Sequence, residues 1–110
     1  MRKNAVIFTF ILLFACKKDT IVLTMPTAKM VSILADIHVA ESAAGYLSGT
    51  KKDSVVSIYY QQIYEIHSVK AEEVKQNLDA LKREPAQLEK VYKMVVDTLE
   101  ERFKVASGGK

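Results

Sequence analysis

Asp36, His38 and Glu41 fall within one short segment of this chain, and His67 follows further on among the tyrosines Tyr59, Tyr60 and Tyr64. A histidine and a carboxylate three residues apart lie on the same face of a helix, so His38 and Glu41 can share a metal ion. His67 on a second helix could then supply a third ligand. Asp36 does not belong to that set, because at 100° per residue it sits about 160° of azimuth from His38. The same residues support plainer chemistry. Glu41 can pair with His38, or it can accept a hydrogen bond from a tyrosine hydroxyl, and either arrangement is structural. An exposed Asp36 would instead suit recognition of a partner. No serine stands in a nucleophile elbow and no glycine-rich phosphate loop occurs, so neither pattern argues for an enzyme.

Four helical segments are expected to position these groups, giving an all-α domain, a compact bundle of three to four helices. The first is expected over residues 26–47, started by Pro26 or Thr27, with Gly49 just past its end. Met30, Ile33, Leu34, Ile37, Ala40, Ala44 and Leu47 form its apolar stripe, with Lys29, Ser32, Asp36 and Ala43 toward the other side. Glu41 lies near the middle of that stripe, where a carboxylate must be paired, hydrogen-bonded or protonated. Asp53 or Ser54 is expected to cap a second helix ending near His67. Its face consists of Val55, Val56, Tyr59, Tyr60, Ile63, Tyr64, Ile66 and His67. Three tyrosines at this spacing suit a core boundary, with rings buried and hydroxyls bonded; a patch for stacking a ligand is the alternative.

The third helix is expected over residues 71–83. Glu72 and Glu73 stand in its first turn and Lys82 and Arg83 in its last, complementing the helix dipole at both ends. Its stripe is narrow: Val74, Leu78 and Leu81, with Ala71. Pro85 then suits the first turn of a fourth helix, since its missing N–H would be unpaired there. That helix carries Leu88, Val91, Tyr92, Val95, Val96, Leu99 and Phe103 on one face to about residue 105.

The beginning of the chain has a different character. Arg2 and Lys3 precede an apolar run from Ala5 to Ala15, and the only cysteine, Cys16, follows. Positive charge, an apolar stretch and a small residue are the parts of a secretory signal, and the run is shorter than the ~20 residues a membrane-crossing helix needs. Processing changes the charge reading. The chain has 16 basic and 13 acidic residues. Without Arg2 and Lys3 the balance is 14 against 13, so there is no electrostatic case for nucleic acid as a partner. A single thiol can form no internal disulfide, and no cysteine framework for zinc exists. The expected organisation is a signal over residues 1–15, Cys16 and a tether to residue 28, a helical domain over 29–105, and a flexible tail over 106–110.

Leu13-Phe14-Ala15-Cys16 resembles the lipobox of bacterial lipoproteins, and Lys17-Lys18-Asp19 partly resembles the outer-surface sorting signal of Bacteroidota lipoproteins. The resemblance implies covalent lipid on Cys16 and no other cofactor. It also removes the thiol from nucleophilic chemistry and anchors the chain at the outer membrane, because two or more acyl chains hold stably at about 0.8 kcal/mol per buried methylene. The remainder resembles small lipoproteins built on an uncharacterised helical domain, a domain-of-unknown-function family. The likeness runs through residues 34–41, Tyr59-Tyr60 with Ile63 and His67, Glu72-Glu73-Val74, and Pro85 through Leu88 and Val91-Tyr92 to Leu99. Ser68 stands where that family tends to have glycine, Val74 where it tends to have an aromatic, and Ala80-Leu81 where it often has tyrosines. Two functions follow as expectations. One is a non-enzymatic interaction module at the membrane with an envelope-protein partner, in which Asp36 serves the contact. The other is a ligand- or metal-binding protein using His38, Glu41 and His67.

Overall fold

The computed structural model describes residues 22–108; Cys16, the signal-like run and most of the tether lie outside them. The described residues form an all-α bundle of four helices: α1 (Thr27–Ala43), α2 (Gly49–Ile66), α3 (Ala71–Lys82) and α4 (Pro85–Ala106). No helix among the described residues is long and apolar enough to cross a membrane.

The central element is α1, which packs on α2 and on α4, while α3 leans on α4. Its apolar residues are distributed around the helix rather than along one narrow stripe, as befits a helix covered on several sides. Met30, Val31, Ile33, Leu34 and Ala35 are all buried, and Val31 and Ala35 lie outside the stripe expected from the sequence. With Ile63 of α2, Val74 and Leu81 of α3, and Val91 and Val95 of α4, they form one core. Expectation and structure part company for α2, where Ile63 is the one buried residue and Ile66 of the anticipated face is open to solvent.

Helix boundaries differ from the expected ones for local reasons. Instead of reaching residue 47, α1 stops at Ala43, and residues 44–46 turn. Gly45 accounts for this, since glycine in a helix interior is disfavoured by about 1 kcal/mol relative to alanine. At its other boundary, α2 begins at Gly49, before Asp53 and Ser54, so neither is its cap. Ser54 lies inside the helix and donates its hydroxyl to the Thr50 carbonyl at 2.9 Å. Pro85 is at the first turn of α4, as expected.

The described residues ahead of α1 join the fold. Met25 is buried and Leu23 packs against the core. Between them, the Thr24 backbone N–H donates to Asn77 Oδ1 at 2.8 Å. The Asn77 amide donates to Thr24 Oγ1 at 2.7 Å and to the Glu73 carbonyl at 2.8 Å. Asn77 is 1% exposed. A buried amide is tolerated only when its hydrogen bonds are made, and here they fasten the first described residues to α3.

The α2–α3 connection closes with a Schellman arrangement: Val69 N–H bonds the Tyr64 carbonyl at 3.0 Å and Ser68 N–H the Glu65 carbonyl at 3.1 Å. Ser68 adopts φ 52°, the left-handed region that costs a residue with a side chain. Glycine in that place, which the family resemblance favours, would be free of the cost.

Candidate functional site

The C-terminal half of α1 lines a cleft rather than a core. This cleft has a volume of about 560 Å³ and takes lining residues from all four helices. Leu34 and Ile37 come from α1, Tyr60 and Tyr64 from α2, Val74 and Leu78 from α3, and Val95 and Leu99 from α4. Its walls are chiefly apolar. His38, Glu41 and Lys75 are the charged or titratable groups on it besides the two α2 tyrosines and Tyr92.

Glu41 therefore faces inward in azimuth, as the stripe implies, yet it is exposed because the cleft is open. Its partner is Tyr60, whose hydroxyl donates to Glu41 Oε1. The expected His38–Glu41 pair does not form. His38 is exposed and lines both this cleft and a smaller one beside Leu99 and Phe103. A rigid phenol arriving from α2 reaches the carboxylate directly, whereas two neighbours on one helix surface must each give up rotamer freedom to meet. Tyr60 and Tyr64 pack edge to face with ring centroids 6.1 Å apart. Burial raises the Tyr60 phenol pKa well above its ordinary range, reinforced by the hydrogen bond to Glu41, the Glu41 charge and Tyr64. Burial pushes the Tyr64 phenol up as well.

Tyr59 points elsewhere. It lines a second cleft of about 500 Å³ on the other side of the α1–α2 pair, with Val39, Ala43, Ile63 and Ile66. Asp36 and Arg102 are at this cleft too, and they belong to the second polar cluster. Asp36 Oδ2 is 2.6 Å from His67 Nε2, and Asp36 Oδ1 accepts from Arg102 at 2.6 Å. The other terminal nitrogen of Arg102 donates to Ser32 Oγ at 3.4 Å. This cluster joins α1, the C-cap of α2 and α4. Asp36 is thus not a free surface residue waiting for a partner; both its oxygens are engaged within the fold.

The proposed ligand set does not assemble. His67 meets Asp36, Glu41 meets Tyr60, and no group of three or more His, Cys, Asp or Glu side chains among the described residues could hold a metal ion. The histidine–carboxylate pair is held by an arginine and works as a clasp between helices.

Sequence reasoning missed Arg102 and Asn77. Asn77 carries a signal, because it lies three residues after Val74 and four before Leu81, on the buried face of α3. Arg102 carries none of that kind, since 66 residues separate it from Asp36. Cys16 lies outside the described residues.

No curated protein and no solved structure matches the chain. A family pattern does match it, over residues 23–104, a span that takes in the Thr24–Asn77 anchor, the cleft and the Arg102 clasp. The chain belongs to the family described as Domain of unknown function (DUF4296).

Proposed function

We propose that this protein is an outer-membrane lipoprotein, lipidated on Cys16, whose helical domain is a non-enzymatic interaction module of a cell-envelope complex. The observation that carries the reading is the open apolar cleft fed by all four helices. Tyr92 and Val96 of α4 stand half-exposed along it. Contiguous exposed apolar surface with a sparse polar edge is the signature of a docking site. The lipobox-like segment supplies the anchor. The near-neutral balance of the processed chain argues for a protein partner over nucleic acid.

In-cell photo-crosslinking of the full-length chain tests both parts. A photoreactive residue at Val96 is expected to yield a discrete adduct, the same probe at exposed Gln76 on α3 none, and the protein is expected to incorporate palmitate. Cys16→Ala is expected to lose the palmitate and to accumulate unprocessed. Palmitate retained without Cys16 would refute the anchor, and equal labelling from both probe positions would refute the docking surface.

A further inference from the structure

The α4 edge of the cleft has a pattern of its own. Tyr92, Val96, Leu99 and Phe103 are spaced by four, three and four residues, the a/d spacing of a coiled coil sustained for about three turns. Leu99 is half-buried and packs in part against the core, but the other three are not used up by the bundle. Tyr92 and Val96 are each 50% exposed and Phe103 is 73% exposed, whereas Val91 and Val95, on the adjoining face, are buried. α4 thus carries two apolar faces, one spent on α1 and α3 and one open.

We infer that the open face binds the same face of α4 in a second copy, antiparallel, in a two-fold symmetric dimer; this rests on the reading of the cleft as a docking surface. A four-three-four spacing reads the same in reverse. An antiparallel pair can therefore place Tyr92 opposite Phe103 of the second copy and Val96 opposite Leu99, with each contact made twice by symmetry.

Charge chooses the direction. Placed at 100° per residue, Glu89, Lys93, Glu100 and Lys104 border the stripe on the side away from Val91 and Val95, with Asp97 farther round. All four are exposed. In the antiparallel register the order of charges reverses, bringing Glu89 to Lys104 of the second copy and Lys93 to Glu100. All four cross-pairs are then of opposite sign. In parallel register this charged edge would meet the other edge of the stripe, formed by Leu88, Val95 and Arg102, and the complementarity would be lost. His38 lies beside Leu99 and Phe103 at the end of this surface and is the titratable group that α1 presents there. Along the same cleft α1 also presents Glu41, bonded to Tyr60 of α2, and α3 presents Lys75.

The test is the mass of the full-length lipidated protein, extracted in detergent and measured by sedimentation across a concentration series. The expected species is a dimer. Val96→Asp is expected to weaken it at least ~30-fold, since it sets two carboxylates into the seam. Circular dichroism should remain helical, because Val96 is half-exposed. Lys93→Glu is expected to weaken the dimer roughly tenfold by setting like charges together twice. Adding Glu100→Lys to that variant is expected to restore most of the loss, which a merely destabilised helix would not do. A monomer throughout the series overturns the inference, as does a dimer indifferent to Val96→Asp or a charge swap without rescue. A monomer that still gives a specific Val96 adduct with another envelope protein overturns the dimer and leaves the docking surface standing. A monomer with no adduct removes both.

Discussion

The two halves of α1 carry one helical period into different surroundings. In the N-terminal half, Met30, Ile33 and Ala35 are completely buried, with neighbours on several sides. In the C-terminal half, Ile37 and Glu41 continue the same azimuth but face an open cleft, and Val39 is half-exposed. Helical period settles which way a side chain points; it does not settle whether another helix is there to meet it. One half therefore stabilises the bundle, and the other leaves apolar surface open along the cleft.

Paired truncations should make that contrast largest. Ile33→Ala is expected to lower unfolding free energy by about 3–4 kcal/mol and Ile37→Ala by only about 1–2 kcal/mol, read by urea denaturation. Equal losses would mean that the cleft is closed in solution. Asn77→Ala should follow, at about 2–3 kcal/mol, because it strands the Thr24 N–H and the first described residues with it. Faster hydrogen exchange at Thr24 in that variant would confirm the anchor.

Asp36→Asn is expected to cost about 1 kcal/mol, a modest figure since the clasp is partly open to solvent. A loss of partner binding with unchanged stability would instead return Asp36 to the recognition role. Ser68→Gly works in the other direction and is expected to add about 0.5–1 kcal/mol by relieving the left-handed backbone.

The smallest effect concerns the cleft edge. With its pKa raised in the folded state, the Tyr60 phenol contributes stability that is whole below the ordinary phenol pKa of about 10. That contribution fades as pH rises through the folded value. Ultraviolet titration should show Tyr60 and Tyr64 ionising late, and Glu41→Gln should move Tyr60 back toward the ordinary range. Burial alone, without help from Glu41, would leave the titration unchanged in that variant.

Much of the secondary structure was legible along the chain. Pro85 marked the start of α4, and the charge arrangement of residues 71–83 outlined α3, because both signals act within a turn or two. Gly45, expected inside the first helix, stands just past the end of α1, and Gly49, expected in the connection beyond that helix, opens α2. Glu41 was rightly marked as needing a partner, and a tyrosine hydroxyl was among the candidates. The metal grouping of His38, Glu41 and His67 did not follow, because His67 sits at the C-cap of α2, against Asp36.

What the sequence determined by itself was local: four helical segments, the face each side chain occupies, the lone cysteine after an apolar run, and an α4 stripe with a reversible spacing. Tertiary structure decided the rest. It buried Asn77 against Thr24, drew Asp36, His67 and Arg102 into one clasp from three helices, and left the second half of α1 partly open along the cleft. These depend on which surfaces meet across tens of residues, and hydrophobic period within one helix carries no information about the distance to the next.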